Sequence, residues 1–222
     1  MPEQKAAYVS MSLLAIHSII TRALKVTIES MERFTNQGFP SEKRREGFLN
    51  YIRAFTSVVD SHHQTEDELV FPYFKDKLPA APFDMLSSQH KQIVPILGEI
   101  RVAADKCGKE DQVGTAFVDL GDALQRIDAI WHPHIRIEEE AFVDKADALL
   151  PAEEQLRLVK LWTEHGVAHI GSPFLTVPFM LYNLTPEVRE AFAAGMPKEV
   201  TQNLIPVVWK EKWESMTPFL LI

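Results

Sequence analysis

Two stretches place a histidine four residues ahead of a glutamate. These are His62 and Glu66 in SHHQTEDELVFP (Ser61–Pro72), and His134 and Glu138 in HPHIRIEEEAF (His132–Phe142). On a helix, positions i and i+4 lie one above the other, so each pair can grip one centre with an imidazole and a carboxylate. Two more histidines precede these pairs at matching distances. His17 lies 45 residues before His62, and His90 lies 44 before His134. The chain therefore states the pattern H…HxxxE twice. Buried imidazoles and carboxylates are costly unless paired, and a metal removes that cost. Four histidines and two glutamates suit a pair of iron ions with each glutamate bridging both.

Any one of these six residues, alone, reads as a hydrogen-bonded core histidine or a surface acid. Their placement on helices is what joins them. NQGFPS (Asn36–Ser41), KLPAAP (Lys77–Pro82) and CGKED (Cys107–Asp111) break the chain, and Leu150-Pro151 ends the last long segment. The spacing predicts helices over about 6–35, 42–75, 83–106 and 112–147, each with an apolar stripe at three- and four-residue steps. The first stripe runs Leu13, His17, Ile20, Leu24, Ile28, Met31, and the second Phe48, Ile52, Phe55, Val59, His62, Glu66, Leu69, Tyr73. The third is Phe83, Leu86, His90, Val94, Leu97; the fourth is Phe117, Leu120, Leu124, Ile127, Trp131, His134, Glu138, Ala141. Short connections between long helices imply an all-α, up-down-up-down four-helix bundle. The first loop is centred near residue 39, 22 after His17 and 23 before His62. The second break lies midway between Glu66 and His90, and the third midway between His90 and His134. Residues equidistant from a turn sit side by side, so the six polar groups fall in one layer.

The frames HHQTEDELVFPYF and HIRIEEEAF, each following a lone histidine, resemble the hemerythrin-like (HHE cation-binding) family over roughly residues 6–148. The resemblance implies a four-helix bundle with a non-haem di-iron centre, oxo- or hydroxo-bridged, that meets dioxygen, nitric oxide or peroxide. Its ligands fall on His17, His62, Glu66, His90, His134 and Glu138. One departure stands out. Oxygen-carrying hemerythrins have a second histidine one turn along the third helix, where this chain has Val94 after His90 and Leu86 before it. Six-coordinate irons with this ligand set and a bridging oxygen keep about two open positions where such a carrier keeps about one. That favours a reactive centre over reversible carriage.

Other histidines are weaker candidates. His63 lies about 100° around the helix from His62; with Asp67 it makes an HxxxD frame that leaves the apolar stripe, which places it beside the ligands or at the surface. His132, two residues from His134, points nearly the opposite way. Pro133 predicts a kink beside the ligands. His165 and His169 in TEHGVAHIG form an i,i+4 pair without the glutamate of a zincin; they read as part of a helix packed on the bundle, with a missing ligand as the sharper alternative. Met11, Met31 and Met85 read as core filler.

Composition sets the remaining bounds. At 222 residues the chain can bury a full core, as a bundle over 1–150 with a helical extension over 151–222. That extension carries short helices near 186–194 and 197–215, and its apolar ending Phe219–Ile222 packs over the bundle or forms a dimer contact. Hydrophobic residues make up 46%, and acids outnumber bases 31 to 23 without a basic cluster, which argues against nucleic acid and anionic membrane as partners. The one cysteine, Cys107, the lack of a signal-like start and the lack of a charge-free spanning window predict a cytoplasmic monomer or homodimer. The expected function is a di-iron oxidoreductase or binding protein for dioxygen, peroxide or nitric oxide. An oxygen or nitric oxide sensor, a carrier or an iron store is the alternative, and iron–sulfur repair a further one.

Overall fold

In a computed structural model the chain is helical, with no strand among the described residues, 9–108 and 113–222. Four long helices carry the architecture: α1 (Val9–Gln37), α2 (Glu42–Thr65), α4 (Phe83–Cys107) and α5 (Val113–Glu138). The expected helix starts at residues 6 and 112, and the break at 109–111, lie outside the described residues. Gly38, at φ 70°, ends α1 with its amide bonded to the Phe34 carbonyl at 2.8 Å, a left-handed cap that a side chain resists. Ser41 then opens α2, its Oγ accepting from the Arg44 amide at 3.2 Å.

Each long helix packs on two of the others: α1 on α2 and α5, and α4 on α2 and α5. Contacts step up one helix as they step down its neighbour. Between α4 and α5 these are His90–His134, Glu99–Arg126 and Lys106–Asp119; between α1 and α2 they are His17–His62 and Phe34–Phe48. These pairs therefore run antiparallel, as the short connections require.

Both HxxxE turns lead into the same distortion. Directly after Glu66 the chain forms a π-helical turn, Glu66–Val70, before α3 (Phe71–Lys75). Glu138 ends α5 and is followed by the π-helical turn Glu139–Val143 and α6 (Asp144–Leu149). A π turn takes up an extra residue and rotates everything beyond it. The sequence stripes miss this. Instead of Leu69 and Tyr73, the chain buries Val70, Phe71 and Phe74; instead of Ala141, it buries Phe142, Val143 and Ala146. A further correction falls in α4, where Val94 is 52% exposed and Ile93, Ile96 and Leu97 form the buried face around Pro95. Met31 is in the core, but Met11 and Met85 face outward.

The apolar interior is split in two. One cluster fills the bundle from Ile20, Val59, Ile93 and Trp131 toward Phe34, Phe48 and Phe117. The other gathers Leu13, Phe71, Phe74, Leu86, Phe142 and Trp162. Between them lies the histidine–glutamate layer.

The remainder of the chain packs mainly along α2. It comprises α7 (Ala152–His169), α8 (Pro173–Tyr182), α9 (Pro186–Ala194), a π-helical segment (Val200–Val208), α10 (Lys210–Trp213) and a 3-10 turn (Glu214–Phe219). The helix at 186–194 matches the sequence pattern. The span 197–215 is interrupted at Trp209, between a π-helical segment that runs through Pro206 and α10, and the proline-containing stretch around Val177 is itself a helix, which its turn-like prolines conceal. Phe219 packs on Phe34, Phe48 and Tyr51, at the end of the bundle away from the histidines. The ending thus closes the bundle's far end, and α7 lies nearest the polar layer, its Gly166 carbonyl accepting from Ser61 Oγ at 2.9 Å. Helix α1 is long and apolar enough by length and composition to cross a membrane, although Arg22 and Lys25 interrupt it as a charge-free span; here its stripe of Leu13, Ile20, Leu24 and Met31 is buried in the fold.

Gly47 marks where the ending meets α2. A Cβ there would sit 1.9 Å from the Ser215 carbonyl oxygen. Gly47→Ala is expected to lower stability by about 1–3 kcal/mol through displacement of the 3-10 turn. Thermal unfolding checks this, and an unchanged melting temperature would show that the contact is not held.

Candidate metal centre

His17 comes from α1, His62 from α2, Glu66 from the first residue of the π turn, His90 from α4, and His134 and Glu138 from α5. The structure brings all six into one buried layer. It also brings in His63, which the stripe argument had set aside. His63 is 2% exposed and stacks on His90 with ring centroids 4.0 Å apart. The seven residues form two groups whose donor atoms all lie within 4.8 Å of one another. One is His63, Glu66, His90 and His134; the other is His17, His62, Glu66 and Glu138. Glu66 belongs to both. Glu138 belongs to the second and lies 3.7 Å from His134 Nε2.

The outer nitrogens are held from behind. His17 Nδ1 donates to Glu139 Oε1 at 2.9 Å, and His134 Nδ1 to Gln89 Oε1 at 2.9 Å. His90 Nδ1 lies 3.1 Å from Asp67 Oδ1, a carboxylate also held by Ser87 Oγ. The bond on Nδ1 leaves the Nε2 lone pair of His134 turned inward, while His17 Nε2 faces Glu138 Oε2 at 3.3 Å. His90 Nε2 and His134 Nε2 face each other at 3.2 Å, within hydrogen-bonding distance. Inside the layer, His62 Nε2, both nitrogens of His63 and both oxygens of Glu66 and Glu138 make no hydrogen bond. Buried polar atoms are almost always bonded, so this many unsatisfied donors and acceptors converging on one place fit a metal. Trp131 floors the layer, its Nε1 donating to Thr21 Oγ1 at 2.9 Å and its ring edge-on to His17. Phe71 stacks on His90.

Charge in the metal-free layer is uneven. Burial opposes protonation of His17, but the Glu138 carboxylate beside it outweighs burial and lifts its pKa to about 9. Glu138, likewise opposed by burial, is held down at about 2 by His17. Glu66 is pushed well above the carboxylate range, first by burial and then by the charge of Glu138. Burial lowers His62 and His63, and takes His134 to about 4. The metal-free layer thus holds one ion pair, His17–Glu138, and one protonated acid, Glu66.

The remaining histidines stay outside. His132 is exposed and lies beside Asp128. His165 hydrogen-bonds with Thr65 Oγ1 and Glu68 Oε2, tying α7 to the π turn, and His169 Nδ1 bonds back to the His165 carbonyl. Asp67 supports His90 and is not part of either group. A cleft of about 370 Å³ between α1 and α5 reaches His17, with Leu14, Ser18, Ile135 and Glu139 among its walls.

An all-helical fold with two buried, overlapping histidine–glutamate groups defines a metal-binding helical protein. The model of the hemerythrin HHE cation-binding domain matches residues 13–167, well over half of the chain, and the chain belongs to that family. The match runs past residue 150 into α7. Neither the curated proteins nor the solved structures yield a match.

Sequence reasoning missed His63 because it reduced each helix to a narrow stripe. A helix with two neighbours buries a wider arc, and a residue 100° from the stripe of α2 faces α4. The doubled histidine beside a ligand frame was the available signal.

Two outcomes follow. Near pH 7 without metal, Glu66→Gln should be as stable as the parent or more so, while Glu138→Gln should lose about 1–3 kcal/mol. The reason is that Glu66, with its raised pKa, loses stability as pH climbs above the unfolded value of 4.5. Glu138, with its depressed pKa, contributes stability that is present above 4.5 and lost as pH falls toward 2. Chemical denaturation in chelator measures both, and the opposite ranking would contradict the charge assignment. Separately, replacing His165 and His169 together with alanine should leave bound metal unchanged; metal analysis that shows a lost ion would place one of them in the site.

Proposed function

We propose that this protein binds two iron ions in the histidine–glutamate layer and through them binds and reacts with dioxygen, peroxide or nitric oxide. The observation that carries the reading is the convergence, in two groups sharing Glu66, of buried imidazole nitrogens and carboxylate oxygens that make no hydrogen bond. In this reading His17, His62, His90 and His134 would hold the ions through ring nitrogens, and Glu66 and Glu138 through carboxylate oxygens. When bound, the paired irons supply redox equivalents and open coordination positions.

The chain's own residues supply the rest. Glu139, Asp67 and Gln89 fix the rings of His17, His90 and His134 so that each presents a lone pair inward. Val59, Ile127, Trp131 and Phe71 exclude bulk water and confine reactive species. The cleft at His17 offers small molecules a route, with Arg22 and Lys25 among its lining residues. The buried Cys107, whose thiol is pushed up to about 11 by burial and by Asp119, is an inert side chain suited to a reducing, cytoplasmic setting.

A second reading, a carrier or sensor that binds these molecules reversibly, is favoured by the place of His63. A further donor in the layer leaves fewer open positions.

Metal analysis with absorption spectra before and after oxygen, peroxide and nitric oxide tests both readings. Two irons per chain, with spectral change and peroxide consumption, supports the reactive centre; reversible oxygenation without turnover selects the carrier. Iron-loaded protein that responds to none of the three removes both. Glu66→Ala or Glu138→Ala, with helix content retained, should abolish paired binding.

A further inference from the structure

His63 is the group that the reading above leaves without a task. It lies on α2 one residue beyond His62, is buried, and neither ring nitrogen has a hydrogen-bond partner. A histidine kept merely to fill the core would be expected to satisfy at least one of them. Its ring lies nearly parallel to that of His90, 17° from coplanar, and its centroid is 5.6 Å from that of His134. Its donor atom falls within 4.8 Å of those of Glu66, His90 and His134. The position one turn beyond His90, where a further imidazole on α4 could have come from, is Val94, which faces solvent.

We propose that His63 is a metal ligand, sharing one metal position with His90, His134 and Glu66, while His17, His62, Glu66 and Glu138 hold the other. The assignment rests on the paired-metal reading above. It makes the two positions unequal: three imidazoles and one carboxylate on one, two imidazoles and two carboxylates on the other. It also divides one peptide unit between them. Consecutive residues of a helix diverge by about 100°, so His62 turns toward the position near α1 and His63 toward the one near α4. A metal that fixes His62 thereby fixes the backbone that presents His63, and filling one position prepares the other. The ligand set becomes five imidazoles and two carboxylates, with about two coordination positions open when Glu66 alone is shared and about one when Glu138 reaches both ions.

Titration of the metal-free full chain with iron(II) under anaerobic conditions, comparing the parent with His63→Leu and His63→Gln, tests this. Expected are two ions per parent chain, taken up together. In the variants one ion is expected to stay tight and the second to weaken about tenfold or more, with an unchanged far-ultraviolet circular dichroism spectrum. Two ions bound by both variants with parental affinity and absorption spectrum would overturn the role of His63 alone. A parent chain that binds fewer than two ions would overturn the paired-metal reading and this assignment with it. Should either variant lose helix content, the cobalt(II)-loaded parent decides. Paramagnetically shifted imidazole N–H signals from five histidines, His17, His62, His63, His90 and His134, support the assignment, and signals from four overturn it.

Discussion

Everything in this fold answers to one electrostatic problem: five imidazoles and two carboxylates occupy a single buried layer between two apolar cores. Without a cation, the layer manages one ion pair, His17–Glu138, and keeps Glu66 protonated because a second carboxylate beside Glu138 cannot ionise in so dry a place. Several donors and acceptors still go unsatisfied. Such a layer is a cost to the metal-free chain, and binding a cation converts it into a source of stability.

The surrounding structure is arranged to hold that layer rigid. Antiparallel packing sets the histidines of neighbouring helices at one height. Glu139, Asp67 and Gln89 anchor the rings from outside, and two of these three come from the π turns that follow the HxxxE frames. An i→i+5 turn rotates the residue after each glutamate so that Asp67 and Glu139 reach back to the histidines of neighbouring helices, His90 and His17. The same rotation buries Phe71, Phe74 and Phe142 as the lid of the upper core. Helix α7 braces the first π turn through His165, with bonds to Thr65 and Glu68 on either side of Glu66. The C-terminal turn closes the opposite end through Phe219 and the gap left by Gly47.

Membership of the hemerythrin HHE family explains the repeated H…HxxxE pattern but leaves open which atoms complete the set in this chain. The departure at Val94 looked like a missing ligand when the helices were read one at a time. In the folded chain that position points to solvent, and an imidazole from α2 stands in the layer. Open coordination positions therefore have to be counted from the packed helices, since a gap on one helix says nothing about what its neighbour inserts.

The sequence by itself determined the helical class, the four long helices and the six residues His17, His62, Glu66, His90, His134 and Glu138 that meet in one layer. Periodicity and equidistance from the loops are local properties of a chain, and those two rules are enough to bring side chains to one face and one height. Tertiary structure decided what lies off those rules. Leu69, Tyr73 and Ala141 gave way to Val70, Phe74 and Phe142 because a π turn resets the helical phase, and nothing in a 3.6-residue period announces it. His63 was decided the same way. Whether a residue 100° from a stripe meets water or another helix depends on where the neighbouring helix lies, and here α4 brings His90 against it.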